Sequence, residues 1–304
     1  MVTLREGIVL SSVGGRYRVF VDGEMREAAL RGRLKQEGRD RVLVGDSVGL
    51  AMDDDGSATI ESVAPRRMML KRRMPGRAHG ERPVAANIEQ VIVVGAVTEP
   101  TWDFHLIDRF TAVAGANHLP AVVIVNKCDL STDARACAAP YRAADYPVVL
   151  TSAREGTGLE DLRKHLEGYV SLFTGPTGVG KSSLLNALQP GLRLRTGAVS
   201  SRSGGGRHTT VAAEMHPFGQ GGFVVDTPGL RDIGLWGLDA TEVADAFPEF
   251  DRHRGQCRFD DCRHLEEPGC AVQAAVERGE IPATRLGSYG RLLKESLEAA
   301  RPWS

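Results

Sequence analysis

Apolar and polar residues alternate over short runs in the first 65 residues of the chain. Tyr17, Val19 and Val21 share one face of a predicted strand, and Arg18 lies on the other face. Turn signals such as Asp22-Gly23 separate these runs. Roughly five short strands in this length predict a small β-barrel of the oligonucleotide-binding (OB) type over residues 1–65, although the pattern also fits an SH3-like module.

Continuous apolar runs replace this alternation after residue 85. The runs 91–94, 121–125, 148–150 and 223–225 are typical of buried parallel strands. Helical periodicity lies between the first of them, and this alternation predicts an α/β domain over residues 85–237.

Helical patterns return in residues 238–304, where we predict a mostly helical third domain. An apolar stripe near its end predicts a helix that packs on its own domain. The stripe consists of Leu286, Tyr289, Leu292, Leu293 and Leu297.

A basic segment, 66–84, joins the first two predicted domains. Seven positive residues oppose the single acid Glu81 there: Arg66, Arg67, Lys71, Arg72, Arg73, Arg77 and Arg82. The segment is either a solvated linker or a contact for a phosphate backbone. Since the whole chain has a net charge of −1, any nucleic-acid binding has to come from such a local patch.

The composition is that of a globular protein, with 42% hydrophobic and 25% charged residues among 304. No apolar run approaches the ~18–20 residues of a membrane span, and the N-terminus lacks a signal-peptide core, so we expect a cytoplasmic protein without a membrane partner. Five cysteines, an odd number, argue against a disulfide framework and favour metal binding or inert thiols.

The run 175–182 matches the phosphate-loop pattern G-x-x-x-x-G-K-[ST] between an apolar strand and a helical segment. Its glycines let backbone N–H groups turn toward a phosphate, Lys181 supplies positive charge, and the Ser182 hydroxyl is placed for Mg²⁺. The predicted phosphate-binding residues are Gly175, Thr177, Gly178, Val179, Gly180, Lys181, Ser182 and Ser183.

An Asn-Lys-Cys-Asp tetrad at the end of the run 121–125 suits guanine. The Asp129 carboxylate can accept from the ring N1–H and the exocyclic amine of guanine, a donor pair that adenine lacks. Asn126 can serve the O6/N7 side, and the stem of Lys127 can lie along the base. A second strand end, at Ser152 and Ala153, offers a backbone N–H to O6. With the phosphate loop, this tetrad predicts binding of GTP and GDP.

Two further motifs are candidates for sensing the third phosphate. Asp226 begins a D-x-x-G motif at the end of the run 223–225 and would hold the metal shell, while the Gly229 N–H would contact the γ-phosphate. A Ser/Gly-rich segment leads into Thr209 and Thr210, one of which would close onto Mg²⁺ when the γ-phosphate is present.

Leu230 follows Gly229, where many GTPases carry a Gln that orients the attacking water. A leucine side chain cannot orient water, so catalysis has to come from another residue or from a partner. His208 is the candidate; the alternative is an ordinary exposed loop histidine.

Three cysteines and one histidine lie close together late in the chain: Cys257, Cys262, His264 and Cys270. A Cys₃His set is an accepted closed site for structural Zn²⁺, and the charged residues around it make a packed cluster of reduced thiols a poor alternative. Four ligands leave no open position, so we predict one structural zinc. His253 is a weaker alternative ligand.

The order of the motifs is circularly permuted relative to an ordinary small GTPase, because the guanine tetrad precedes the phosphate loop. With these motifs the chain resembles the ribosome small-subunit-dependent GTPase A family (RsgA, also called YjeQ). Further matching stretches are 86–90, 206–210 and 234–236, and the match covers nearly the whole chain.

The resemblance implies a bacterial factor in late maturation of the small (30S) ribosomal subunit, with 16S rRNA as a partner and GTP hydrolysis stimulated by the subunit. It also implies phosphate and Mg²⁺ roles for Lys181 and Ser182, catalysis by His208, and γ-phosphate and Mg²⁺ contacts by Thr210. We expect a monomer.

Two other functions remain compatible with the residues. One is a nucleotide-gated RNA-binding module whose hydrolysis is incidental, which Leu230 and the RNA-type barrel leave open. The other is a phosphate-loop kinase for a small molecule, which the guanine tetrad disfavours. The preference between ATP and GTP separates the kinase from the rest.

Overall fold

A computed structural model describes residues 4–32, 42–52, 57–73, 81–194, 213–226, 238 and 240–299 of the chain. These residues belong to two compact units. The first comprises 1–89, 166–172 and 203–230, and the second comprises 90–165, 173–202 and 231–304. Residues 213–226, which we assigned to the α/β domain, therefore pack in one unit with the barrel.

The N-terminal strands form a closed barrel in the order β1-β2-β3-β5-β4. Its strands are β1 (Arg5–Val13), β2 (Arg16–Val21), β3 (Glu24–Leu30), β4 (Ser47–Met52) and β5 (Ala58–Val63). β3 and β5 run parallel, whereas the other neighbouring pairs are antiparallel. The predicted OB-like barrel is confirmed.

Alternation along β2 determines which side chains enter the barrel. Val19 is fully buried, Tyr17 and Val21 are nearly so, and Arg18 is exposed. Val9, Leu50 and Ile60 from neighbouring strands complete this core. The predicted inward face is therefore confirmed, and burial of its apolar area is the main stabilising contribution to the barrel.

The segment 66–84 is not simply a linker, because part of it forms a two-stranded antiparallel ribbon. The strands are β6 (Met69–Arg73) and β7 (Glu81–Ala86). Asn87 attaches the ribbon to the barrel: its Nδ2 donates to the Gly45 carbonyl at 2.9 Å, and its Oδ1 accepts from the Arg67 N–H at 2.9 Å.

Parallel strands of the second unit have the order β10-β9-β8. They are β8 (Gln90–Ala96), β9 (Ala121–Asn126) and β10 (Val148–Leu150). Every residue of β8 and β9 is buried, as the apolar runs predicted. The strands β11 (Val170–Thr174), β12 (Glu214–Phe218) and β13 (Gly222–Asp226) follow, in the order β11-β13-β12, with β12 and β13 antiparallel.

Helices connect and cover these strands. They are α1 (Phe104–Ala116), α2 (Ala134–Ala143), α3 (Leu159–Leu166), α4 (Lys181–Leu188), α5 (Ala240–Asp245), α6 (Ala271–Glu277) and α7 (Ala283–Ala299). Asp103 caps α1 by accepting from the Leu106 N–H at 3.2 Å. The predicted stripe on α7 packs inward through Tyr289, Leu292 and Leu293. Among the described helices, none has the length and apolar character that a membrane crossing requires.

A buried charge cluster fastens α1 to the C-terminal helices. Nη1 of Arg285 lies 2.7 Å from Asp108 Oδ1, and its Nε lies 2.6 Å from Glu249 Oε1 in the 3₁₀ turn Pro248–His253. The guanidinium carbon is 4.5 Å from the centre of the Phe247 ring. Burial alone would lower the pKa of Arg285, but the two carboxylates hold it well above its usual value.

Candidate nucleotide site and metal centre

The loop between β11 and α4 has backbone geometry that only glycine adopts readily. Gly175, Gly178 and Gly180 have φ angles of 135°, 83° and 96°. A Cβ on Gly175 would lie 2.0 Å from the Val94 carbonyl oxygen, and one on Gly180 would lie 2.5 Å from Asn126 Nδ2. The glycines of the motif thus allow the loop to pass close to β8 and to Asn126.

Lys181 folds back over this loop. Its Nζ donates to the carbonyl oxygens of Gly175 and Pro176 at 2.7 and 2.8 Å. Gly180 precedes α4 and provides no side-chain cap, so the first-turn N–H groups of α4 can serve an anion. This arrangement presents an ammonium group and a helix N-terminus to a phosphate.

Asn126 links the guanine tetrad to the phosphate loop. Its side chain is almost fully buried, and its Nδ2 donates to the Val179 carbonyl at 2.8 Å. Its Oδ1 accepts from the Thr151 hydroxyl at 3.0 Å. Each amide atom retains one further hydrogen-bonding position, which the base can use. Thr151 was missed by sequence reasoning; its only signal is its place directly before Ser152.

The residues after Asn126 turn sharply out of β9. Lys127 has a left-handed φ of 59° and its Nζ donates to the Glu99 carbonyl. Asp129 then lies, partly buried, in the 3₁₀ turn Cys128–Leu130. The Cys128 N–H donates to the Thr151 carbonyl at 3.0 Å, which holds this turn beside the end of β10.

The loop after β10 is closed by its own hydrogen bonds. The buried Ser152 donates its N–H to the Thr157 carbonyl at 3.0 Å, and its hydroxyl oxygen accepts from the Glu155 N–H at 3.1 Å. Ala153 follows as a partly buried residue. The structure therefore brings the tetrad, this loop and the phosphate loop together in the second unit.

The predicted γ-phosphate residues are only partly described. Asp226 is the last residue of β13 in the first unit and pairs with Glu214 of β12. His208, Thr209, Thr210, Gly229 and Leu230 lie outside the described residues. Their predicted roles stay predictions.

The four predicted zinc ligands converge in the C-terminal region. Their ligand atoms all lie within 4.8 Å of one another. The Sγ atoms of Cys257, Cys262 and Cys270 are 3.6, 3.6 and 3.4 Å from His264 Nδ1. Tetrahedral zinc with ordinary bond lengths separates a sulfur and a nitrogen ligand by about 3.6 Å, so the donor set and its spacing fit Zn²⁺.

Backbone groups around the cluster suit thiolate ligands. The Ala271 N–H donates to Cys257 Sγ at 3.4 Å, and the Gln273 N–H donates to Cys270 Sγ at 3.5 Å. Burial, together with the neighbouring thiols, raises the pKa of Cys262 to about 12, so the deprotonated form needs a cation beside it. His253 is not in the cluster; its Nε2 lies 3.8 Å from Glu280.

The basic segment contains one arginine that is not available to RNA. Arg66 is 15% exposed, and its guanidinium binds the fully buried Asp46 at 2.7 and 2.9 Å. Its role is to neutralise a buried carboxylate. Arg67 is 74% exposed and lies 3.3 Å from Glu89. The side chains of Lys71, Arg72, Arg73, Arg77 and Arg82 lie outside the described residues.

Two protein-family models match the chain. The model described as the RsgA N-terminal domain matches residues 6–60, and the model described as RsgA GTPase matches residues 63–236. The second match begins at the end of the barrel and includes the guanine tetrad, the phosphate loop and the D-x-x-G motif.

Similar proteins match over nearly their full lengths. A small ribosomal subunit biogenesis GTPase RsgA from Gemmatimonas aurantiaca is 48% identical over 97% of this chain and 98% of its own length. The protein of the same name from Moorella thermoacetica is 43% identical over 98% and 100%.

Two solved structures are also similar to this chain over nearly its full length. The crystal structure of YjeQ from Thermotoga maritima has a TM-score of 0.81 and 36% identity, covering 98% of this chain and 100% of that one. The structure of YloQ, described as a circularly permuted GTPase, has a TM-score of 0.76 and 27% identity, covering 99% and 97%.

Proposed function

The chain belongs to the RsgA GTPase family and is a GTP-hydrolysing enzyme, and from this premise we propose that it acts in late maturation of the small (30S) ribosomal subunit. Its relatives are named for biogenesis of that subunit. In this proposal the GTP-bound protein binds the subunit, the subunit stimulates hydrolysis to GDP and phosphate, and the protein then leaves.

The observation that carries the nucleotide assignment is the buried Asn126 amide. It joins the guanine tetrad to the phosphate loop through Val179, a residue 53 positions away in the chain. The base and the phosphates are parts of one nucleotide and lie a fixed distance apart. The motifs that bind them therefore also need a fixed separation.

Guanine selection is assigned to Asp129. Its carboxylate accepts from N1–H and the exocyclic amine, while Asn126 serves the O6/N7 side with its remaining hydrogen-bonding positions. Lys127 covers the base, and Ser152 and Ala153 border O6. The expected outcome is tight GTP and GDP binding with little ATP binding; equal affinities for ATP and GTP would contradict the guanine assignment and favour a kinase.

Phosphate binding is assigned to the loop 175–182 and to α4. Lys181 exchanges its loop carbonyls for phosphate oxygens, and the backbone N–H groups of the loop and first turn surround the β-phosphate. The hydroxyls of Ser182 and Thr210 and the carboxylate of Asp226 are hard oxygen ligands of the kind that Mg²⁺ prefers. When bound, Mg²⁺ neutralises charge that builds up on the phosphates.

Hydrolysis is assigned to His208, since Leu230 cannot orient water. The loose transition state of phosphoryl transfer needs little activation of the nucleophile, so His208 has to orient the water rather than act as a strong base. Its segment is rich in Gly and Ser, and ordering it costs conformational entropy. Contact with the small subunit would fix His208 beside the attacking water, which explains why hydrolysis would depend on the subunit.

The accessory assignments rest on the barrel, the ribbon and the cysteine cluster. We assign 16S rRNA binding to the OB-like barrel and the basic segment. One Zn²⁺, held by Cys257, Cys262, His264 and Cys270, would stabilise the C-terminal domain without taking part in the reaction. The protein would act as a cytoplasmic monomer.

The test of this function is single-turnover GTP hydrolysis by the full chain, with and without saturating purified small subunits. We expect slow hydrolysis alone and clear stimulation by the subunits. His208→Ala should keep GTP affinity within a few-fold and lose most of the stimulated rate, about 10²-fold or more. His118→Ala, at an exposed histidine on another loop, is the matched control.

Two other outcomes would each contradict one part of the proposed function. Negligible turnover by the parent at saturating subunits would overturn the enzymatic role and leave a nucleotide-gated RNA-binding module. Near-parental stimulated rates in His208→Ala would overturn the role of this histidine and assign the missing group to the ribosome.

A further inference from the structure

The outer surface of the barrel packs against the hairpin β12–β13 within the first unit. The rings of Phe20 on β2 and Phe223 on β13 meet edge to face, with centroids 5.7 Å apart. A Cβ on Gly45 would lie 3.3 Å from the end of the Met215 side chain, so β12 also touches the barrel beside β4. The hairpin that carries Asp226 is therefore continuous with the barrel.

One ion pair crosses this contact at its edge. Arg18 of β2 donates from Nη2 to Glu214 Oε1 at the start of β12, and its Nε also donates to Ser11 Oγ at 3.1 Å. The Arg18 and Glu214 side chains remain 45% and 41% exposed. Both are accessible to a ligand in solution, unlike the buried Arg66–Asp46 pair.

Glu214 is directly opposite Asp226 in the β12–β13 register. Directly opposed residues of an antiparallel pair project from the same face of the sheet, and like charges in this relation are destabilising. Arg18 therefore places a cation beside Glu214, and the neighbouring carboxylate of Asp226 belongs to the D-x-x-G motif.

We propose that the Arg18–Glu214 pair sets the position of Asp226 and is released when a phosphate of the barrel's RNA partner binds Arg18. The proposal rests on the proposed function and adds the route by which the subunit acts on the GTPase motif. Arginine binds phosphate through strong, bidentate hydrogen bonds, so a backbone phosphate competes effectively with an exposed carboxylate.

Release of Arg18 leaves the Glu214 carboxylate without this cation, directly opposite the carboxylate of Asp226. The repulsion between the two carboxylates then moves the end of β13. Asp226 moves with it, away from the position that it has in the free protein. Arg18 and Glu214 are positioning residues in this scheme, because neither needs to contact the nucleotide.

The two variants have opposite signatures in single-turnover hydrolysis with purified small subunits. Glu214→Gln removes the repulsion, so the stimulated rate should fall about two- to fivefold while subunit affinity is retained. Arg18→Ala leaves Glu214 without its cation before any RNA arrives, so the rate of the free protein should rise by a similar factor while subunit affinity weakens.

Controls separate this effect from a loss of folding. Arg18→Lys keeps a cation beside Glu214, so the variant should hydrolyse GTP as slowly as the parent protein does in the absence of subunits. Arg278→Ala removes a similarly exposed ion pair outside the barrel, with Glu280, and should change neither the free rate nor the stimulation ratio. The thermal unfolding midpoints of all variants show whether a change in rate follows a change in stability. If the ion pair were merely structural, its loss would lower the free rate and the stimulated rate together.

Parental stimulation with parental affinity in Glu214→Gln, or an unchanged free rate in Arg18→Ala, would overturn this inference and leave the proposed function intact. A parent protein that small subunits do not stimulate would overturn the proposed function, and this inference with it.

Discussion

Asn126 performs two tasks with one side-chain amide. Its Nδ2 and Oδ1 bind Val179 and Thr151, and each of these two atoms keeps one further hydrogen-bonding position for the proposed base. Because these protein contacts are buried, the amide is oriented before any nucleotide arrives. Thr151 therefore orients a residue of the proposed nucleotide site without being part of a recognised motif.

Replacing Thr151 by valine tests this arrangement. The change leaves one lone pair of the Asn126 carbonyl oxygen buried without a donor, at a cost of about 1–3 kcal/mol. The Asn126 amide also loses the bond that fixes its orientation, so we expect GDP affinity to fall by about fivefold or more, measured by titration with a fluorescent GDP analogue.

Thr174→Val is the matched control for this experiment. The Thr174 hydroxyl is buried and, within the described part of the chain, has no hydrogen-bond partner. Its removal should leave affinity unchanged and stability unchanged or slightly higher. Equal losses in the two variants would mean that the effect comes from the β-branched apolar side chain rather than from the missing hydrogen bond.

At the scale of elements, two side-chain clusters connect segments of the C-terminal region. The first is the Cys₃His set. Cys262→Ala should eliminate the roughly one zinc per chain expected for the parent, as measured by elemental analysis, and increase proteolysis within 238–304. Cys137→Ala, at a buried cysteine of α2 outside the cluster, should keep its zinc.

Nucleotide affinity gives a second measurement on the same variant. It should be nearly parental in Cys262→Ala, because the predicted nucleotide residues come from other elements. A wild-type protein that is free of metal and fully stable would contradict the zinc assignment.

The second cluster is the buried Arg285 with Asp108 and Glu249. Arg285→Met would leave two carboxylates buried without their cation, so we expect the free energy of unfolding to fall by about 3–5 kcal/mol, measured by urea titration. Arg278→Met removes an exposed pair with Glu280 and should have little effect. Similar urea midpoints for the two variants would contradict the structural role of Arg285.

Sequence patterns predicted the elements better than the contacts between them. Alternation placed Tyr17, Val19 and Val21 inside the barrel, and the Cys₃His set was found because its ligands are close in the chain. Arg285 could not be found in this way, because a charged residue in a helix predicts exposure, and its partners are 177 and 36 residues away.

The same limitation applied to the basic segment. Counting charges gave Arg66 the same weight as its neighbours, although its partner is a buried aspartate 20 residues earlier. The glycines of the phosphate loop were predictable, since their motif encodes the backbone geometry directly. The packing of the β12–β13 hairpin with the barrel includes the contact between Phe20 and Phe223, which no local pattern contains.

At the scale of the whole molecule, RNA binding should have an electrostatic component despite the near-neutral net charge. The double variant Arg72→Ala/Arg73→Ala should weaken small-subunit binding and reduce the slope of log affinity against log salt by about 0.7–0.9 for each phosphate that the variant no longer neutralises. The measurement is binding of labelled subunits over a salt series.

Arg66→Ala serves as the contrasting variant in that series. It should lower the stability of the barrel, because Asp46 loses its buried cation, while leaving the salt slope unchanged once the protein is folded. An unchanged slope in the double variant would mean that the ribbon only connects the barrel to the rest of the chain.

The link between Asn126 and Val179 also has a consequence for synthesis of the chain. Val179 is made 53 residues after Asn126, which at roughly 5–20 residues per second is a delay of about 3–10 s. During this interval the nascent chain contains the tetrad but no phosphate loop. In the ordinary motif order the loop is made first and waits for the tetrad. Here the barrel can fold on the translating ribosome well before the same chain can hold its first nucleotide.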